Sequence, residues 1–486
     1  LNIYFVSLGC DKNTVDSEEM ITALLDAGYR IVNDPEEADA IVVNTCAFID
    51  QAKEESIETI LEMAEYKKDR CKILVCTGCL AERYHEDIEK ELPEVDVVVG
   101  TSAYDQLVDA LDEEVHDMGL DEYFFGVIPD EYKKEVSDKD FSNSHDSIDP
   151  NTSMSEPQGE RHENKKIEAM ADVNRSPEPL IRRYNSSGGY RAYLKIAEGC
   201  DKCCTYCIIP KLRGHYRSTP METLLKQAEY LADNGTRELI LVAQETTLYG
   251  TDIYGKKMLH VLLHRLSEIE GIRWIRILYA YPEEIYDDLI EEMKTNTKVL
   301  HYLDMPVQHS TDHILKLMGR RTSHDDLVDI IRKLRTAMPD IALRTTLITG
   351  FPGETKQDVD ELADFVRDAR FTRLGIFTYS PEEDTPAVLL PNQIDDDLKN
   401  ERRDRLMALQ QQIDFEIEED QVGKELDVII EGYMPDDDIY IGRTYMDAPD
   451  VDGLVFVKAD PDLQSGYIVP VRIEKAEGYD LYGTMV

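Results

Sequence analysis

Apolar and polar positions over the first 111 residues predict strands and helices in strict alternation. IYFVSL is a short apolar run. An amphipathic stretch from Val15 to Ala27 follows it, with Val15, Met20, Ile21, Leu24 and Leu25 at helical spacing. AIVVNT reads as a second buried strand, and Ala52 to Tyr66 as a helix with Ile57, Ile60, Leu61 and Ala64 on one face. KILVCTG is a third strand, another helix follows it, and VDVVVG is a fourth strand. Strands separated by helices pair in parallel, so residues 1–111 are expected to form an open α/β domain.

The pattern breaks over 112–188. The run VSDKDFSNSHDSIDPNTSMSEPQGERHENK is polar, rich in Ser, Asp, Asn and Pro, and without apolar periodicity. It predicts a disordered linker or insertion. Alternation returns in 189–415. AYLKIA, ELILVA, WIRILY, VLHYLDM, IALRTTLI and RLGIFTY are strand-like, with helical patterns such as MLHVLLHRLSEI and KQDVDELADFVRDAR between them. Six β-α units predict a complete or partial parallel barrel whose ligands gather at the carboxyl ends of its strands. A long helix from Asp395 leads into residues 416–486, where VIIEGY, YIGRTY, GLVFVKA and IVPVRIEKA predict a small β barrel.

Composition changes this picture at three points. A chain of 486 residues with 42% hydrophobic content fits several soluble globular domains, about two to four. No apolar run nears the roughly 18 residues of a membrane span. The N-terminal LNIYFVSLGC has no basic segment or cleavage site, and its lack of an initiator Met suggests trimming. Nine cysteines without a secretory signal point to a reducing cytoplasm and metal ligation, not to disulfides. The net charge of −46 repels nucleic acid and suits a basic partner.

The cysteines carry the chemistry. Cys200, Cys204 and Cys207, in GCDKCCTYC, have CxxxCxxC spacing on a loop after the first strand of the second α/β region. Three thiols hold three corners of a [4Fe–4S] cluster and leave one iron open for a ligand. The alternative is a structural zinc site with Cys203 as fourth ligand, although adjacent Cys203 and Cys204 are hard to aim at one ion. Cys10, Cys46 and Cys79 each sit just past an N-terminal strand, in SLGC, VVNTC and CTGC. Carboxyl ends of a parallel sheet share one edge, so these thiols are expected to converge as a second three-cysteine site. Cys76, inside its strand, reads as a buried small hydrophobe, and Cys71 begins the same strand.

The three-cysteine loop resembles that of radical S-adenosylmethionine (SAM) enzymes, which bind SAM at the open iron. SLGCDKN, VVNTCAF, CTGCLAERY, EGCDKCCTYCIIPKLRG, LVAQET, DMPVQHS, TGFPGET and the tail barrel, of the kind called TRAM, together resemble the methylthiotransferases. The resemblance implies two [4Fe–4S] clusters and two SAM molecules, one a methyl donor to sulfur and one a radical source. It also implies an electron donor such as flavodoxin or ferredoxin. Family members modify either adenosine in transfer RNA or an aspartate of small-subunit ribosomal protein number twelve. GRTYMDAPDVDG, YAYPEEI and FTYSPEEDTPA resemble the protein-modifying branch. Residues 417–486 hold 17 Asp plus Glu against 5 Lys plus Arg, which suits a basic ribosomal protein and argues against tRNA. Asp11 and Asp384 depart from the family's usual proline and glycine, and the insertion is unusual. A tRNA enzyme and a non-enzymatic iron–sulfur module of the ribosome are the alternatives.

For SAM itself, Gln244, Glu245, Arg344 and Gly350 are expected contacts because they sit near predicted strand ends, and Tyr206 is expected against adenine. His309 is a pocket residue or a satisfied core histidine. Lys211, Arg213, His215 and Arg217 could hold anionic SAM or the substrate aspartate, or form a solvated loop.

Overall fold

The computed structural model describes residues 1–120, 166–459 and 462–486. The first sheet contains β1 (Asn2–Ser7), β2 (Arg30–Val32), β3 (Ala40–Thr45), β4 (Ile73–Gly78), β5 (Val97–Val99) and β6 (Ile167–Ala169). Its order is β2-β1-β3-β4-β5-β6 and every pair is parallel. β3 and β4 are buried at every position, as continuous apolar runs in a helix-covered parallel sheet should be. The four predicted strands are present, and β2 and β6 are added at the two edges. Both have only three residues, too few to show a period in sequence.

β6 lies inside the expected 112–188 linker, and the helix Leu107–Asp117 runs into it from the other side. The ends of that stretch are therefore structured parts of the first domain. The rest of it, 121–165, lies outside the described residues.

The second sheet is an open, wholly parallel half-barrel. It consists of β7 (Arg191–Lys195), β10 (Glu238–Val242), β11 (Trp274–Ile277), β12 (Val299–Asp304), β13 (Ala342–Thr349) and β14 (Arg373–Thr378), in the order β14-β13-β12-β11-β10-β7. β8 (Ala197–Glu198) and β9 (Arg217–Ser218) form a small ladder beside it. Helices cover its convex face with a leucine-rich core. Two of them, His324–Ala337 and Lys356–Ala369, start at capping boxes on Ser323 and Thr355, each closed by an Asp at N3.

The concave face packs on the tail. β15 (Glu425–Met434), β16 (Ile439–Arg443), β17 (Val455–Lys458), β18 (Ile468–Glu477) and β19 (Asp480–Met485) close into a five-stranded barrel. Its Val428, Ile430, Val455 and Val471 share one core with Tyr193, Ile240, Trp274 and Tyr302 of the half-barrel. At the centre of this contact Glu238 accepts from Arg276 Nε at 2.8 Å and from Arg443 Nη2 at 2.7 Å, with all three side chains buried. Burial opposes the charge, but Arg443 and Arg276 hold the Glu238 carboxyl down to about 2. Arg344 reaches Asp452 across the same contact at 3.6 Å, and Arg373 is shared by Asp447 and Glu418. Part of the tail's acidity is thus matched to arginines of its own chain. No helix among the described residues is long and apolar enough to cross a membrane.

Candidate active site

In the first sheet, β1, β3 and β4 are adjacent, and their registers pair Ser7 with Asn44 and Thr45 with Gly78. The chain leaving each strand carries Cys10, Cys46 or Cys79 to one edge. A Cβ placed on Gly9 would stand 2.8 Å from Cys46 Cβ and 3.2 Å from Cys46 Sγ, so the first and second loops touch. Gly78, at φ +91°, fits only because it has no side chain, since a Cβ there would run into Asn44 and the Thr45 backbone. Asn13 ties the loops together by donating to the Leu8 and Thr45 carbonyls, both at 3.0 Å.

Cys10 is the N-cap of the helix Asp11–Asp26, and Cys79 is the first residue of the helix Cys79–Glu91. Two helix amino ends therefore face the trio and favour negative charge there. Burial, with Cys79 and Cys10 close by, pushes the Cys46 thiol up to about 12, and burial raises Cys79 as well. Such thiols stay protonated until a metal deprotonates them. Arg213, itself buried, donates to Cys79 Sγ at 3.6 Å, to Asn13 at 2.6 Å and to Asp16 at 2.6 Å.

In the half-barrel, Cys200, Cys204 and Cys207 lie on the loop that follows β7 and β8. Cys200 and Cys204 are buried, Cys207 is half-buried and Cys203 is exposed at φ +54°. The loop is pinned by Thr205, whose N donates to Met318 O at 2.9 Å and whose Oγ1 donates to Leu317 O at 2.8 Å. Burial pushes Cys200 up to about 11 and raises Cys207. Among the described residues no three His, Cys, Asp or Glu side chains close tightly enough to hold a single metal ion.

Around this loop, buried polar atoms are left without protein partners: Gln244 Oε1, Glu245 Oε2, Gln308 Oε1, Ser310 Oγ and Arg320 Nε and Nη1. Native interiors leave few such atoms without a reason, and a polar ligand at the strand ends would partner these. The donor set of three thiols and this polar rim fit a cluster with SAM. Burial pushes the Glu245 carboxyl up to about 7. Gln244 donates to Glu198 at 2.5 Å, and Glu198 accepts from Arg213 at 3.2 Å. The chain Cys79–Arg213–Glu198–Gln244 thus runs from the first thiol set through Glu198, two residues before Cys200.

The other expected residues divide. Tyr206 lies edge-on to Phe351, 6.4 Å between centroids, and joins a small cluster with Met318 and Tyr379. Arg344 is the third residue of an eight-residue strand, not at its carboxyl end, and donates to Asp304 at 3.1 Å as well as meeting Asp452. These partners set it at the contact with the tail. Gly350 is enclosed by its own chain. The space a Cβ would take is filled by Lys399, and its N–H donates to Glu354. His309 is fully buried; its Nδ1 accepts from Thr311 N at 3.1 Å, while its Nε2 has no hydrogen-bond partner among the described residues and stands 3.6 Å from Glu354. Lys211 and His215 point outward to Asp384 and Asp201, and Arg217 donates to Ser176, so only Arg213 of that cationic run enters the site.

Sequence reasoning missed Arg320 and Lys202. The Arg320 guanidinium lies 4.3 Å from the Tyr281 ring centroid, and the Tyr281 hydroxyl is 3.9 Å from Cys204 Sγ. Lys202 pairs with Glu284. Lys202 sits within the cysteine motif and was there to be read. Arg320, over one hundred residues away in sequence, gave no signal. The first domain also clasps the half-barrel across the site, where Lys53 and Arg83 meet Glu382 at 3.0 and 2.9 Å.

Residues 2–100 match the description Uncharacterized protein family UPF0004, residues 194–366 the Radical SAM superfamily, and residues 422–486 the TRAM domain. The "Ribosomal protein uS12 methylthiotransferase RimO" of Lachnoclostridium phytofermentans is 52% identical over 485 residues, covering 100% of both chains. That of Clostridioides difficile is 44% identical over 100% of this chain and 99% of its own. A solved radical SAM methyltransferase, TsrM from Kitasatospora setae with cobalamin and a [4Fe-4S] cluster, shares the fold. Its TM-score is 0.51 at 14% identity, over 88% of this chain and 80% of that one. Likeness this high from end to end, on a chain that sets a cysteine loop against a three-cysteine sheet edge, has one conclusion: the chain belongs to the ribosomal protein uS12 methylthiotransferase RimO family.

Proposed function

We propose that this transferase inserts a methylthio group at the β-carbon of an aspartate of ribosomal protein uS12, using two [4Fe–4S] clusters. The observation that carries the two-cluster reading is the convergence of Cys10, Cys46 and Cys79 beside the 200–207 loop, with Arg213 and Glu198 between them. Cys200, Cys204 and Cys207 would hold the cluster that receives SAM, and Cys10, Cys46 and Cys79 the auxiliary one. When bound, these groups supply the one-electron and sulfur chemistry.

The chain's residues position and enclose. Gln244 is aimed by Glu198, Glu245 offers a buried carboxyl that burial pushes up to about 7, and Arg320 presents two free donors beside Cys204. Tyr206 and Tyr281 shield the loop from water. We place the reaction in the cytoplasm, with flavodoxin or ferredoxin as electron donor and uS12, free or in the ribosome, as the basic partner. Asp436, Asp437 and Asp438 at an exposed turn of the tail, with Glu474 and Glu477, leave it an acidic outer face that disfavours tRNA.

Mass spectrometry of small-subunit proteins and bulk tRNA, after incubation with reduced, cluster-loaded protein and SAM, tests this. A methylthio mass gain on the uS12 aspartate is expected. A gain on adenosine instead would overturn the substrate.

A further inference from the structure

Lys12 sits two residues after Cys10, is 7% exposed, and holds its ammonium 3.3 Å from the centroid of the Tyr279 ring. The other cations around the site each have a carboxylate at ion-pair distance: Lys53, Arg83, Lys195, Lys202, Arg213 and Arg320. Lys12 has none among the described residues. An ammonium at the tip of so little-exposed a side chain, held against an aromatic face, still offers its charge to an incoming anion.

The two acids that hold Tyr279 have partners of their own. Asp11 accepts from the Tyr279 hydroxyl at 3.1 Å, while Asp304 accepts from the Tyr279 N–H and from Arg344, each at 3.1 Å. Tyr279 is itself fixed at φ +58°, a conformation that a bulky residue rarely holds, and its carbonyl accepts from Thr246 N at 3.1 Å. The ring under Lys12 is thus clamped at the carboxyl ends of β10, β11 and β12, against the loop of Cys10. A strained, over-determined support beneath an ammonium that lacks a counter-ion is the form of a preorganised anion receptor.

We propose that Lys12 binds the side-chain carboxylate of the substrate aspartate and so selects aspartate. This rests on the uS12 reading above. In aspartate the carboxylate is bonded directly to the β-carbon, so a carboxylate on Lys12 keeps that carbon beside Cys10. The second anion that could reach Lys12 is the carboxylate of SAM, and the test separates the two.

Anaerobic titration calorimetry on cluster-loaded protein would use a synthetic uS12 peptide with its target aspartate, the same peptide with asparagine there, and SAM. Lys12→Met, Lys12→Gln and Lys12→Arg would be compared with the parent, with iron content measured for each. The parent is expected to favour the aspartate peptide by about 100-fold, as for a desolvated charge pair. Lys12→Met and Lys12→Gln should bind both peptides alike, Lys12→Arg should keep most of the preference, and SAM affinity should not change. A preference that survives in the neutral variants overturns the assignment. So does a loss confined to SAM, or loss of both clusters in both neutral variants. A parent that methylthiolates uS12 yet shows no aspartate preference also sinks Lys12 while leaving the function intact. A parent that adds no methylthio group to uS12 sinks the function instead.

Discussion

The two thiol trios reach similar ends by opposite routes. Cys200, Cys204 and Cys207 lie within eight residues on one loop, and local backbone contacts set their spacing. Cys10, Cys46 and Cys79 span 70 positions and meet only because β1, β3 and β4 are neighbours in register. The first trio survives whatever preserves a loop; the second exists only while a sheet is folded. Ligand order therefore differs from ligand robustness, and substitutions should separate them.

The largest effect is expected from Cys204→Ala, which should reduce both 5′-deoxyadenosine formation and methylthio insertion to background in anaerobic turnover. Cys46→Ala should abolish insertion while 5′-deoxyadenosine continues to form at a comparable rate. Normal insertion by that variant would remove the auxiliary role. Gly78→Ala should act one step further out. It places a methyl group against Asn44 and Thr45 at positive φ, costing about 1–3 kcal/mol. If the proposed two equal clusters are both bound, about half of the iron should be lost, since the proposed auxiliary one depends on that turn. Iron analysis with thermal unfolding checks this, and full iron content would show the sheet edge to be more pliant than its packing implies.

The smallest effect concerns pH and the tail. Burial pushes the Glu418 carboxyl up to about 7 and Asp414 up to about 6, although both stand near Arg373. A carboxyl raised on folding contributes stability that is complete below its unfolded value, near 4.5, and is lost as pH rises through about 7. The cluster-free protein should thus melt at lower temperature at pH 8 than at pH 5. Glu418→Gln should recover about 2–4 °C at pH 8 and little at pH 5. Equal gains at both pH values would assign the effect to packing.

The cysteine loop was legible because its ligands are consecutive, and the convergent trio because each thiol ends an apolar run. What escaped depended on distance or counting. β2 and β6 are too short to show a period. Arg344 sits inside a strand that continues to Thr349, and only the fold shows that its side chain meets Asp304 and Asp452. Gly350 has Lys399, from a helix some fifty residues on, where a side chain would go. Arg213 was visible as one of four basic residues, but only the fold shows that it alone turns inward.

The Glu238–Arg276–Arg443 contact bears on how this protein can be dissected. Three sequence segments resemble interchangeable parts, yet a chain ending before the tail barrel would leave Arg276 and Glu238 without Arg443 and strip the apolar lining of the half-barrel. Losing one partner from such a buried set costs about 3–5 kcal/mol before the bared apolar face is counted. Modules that look separable in sequence are, in this molecule, one unit of stability, and swapping tails between relatives should succeed only where the arginine and its acid travel together.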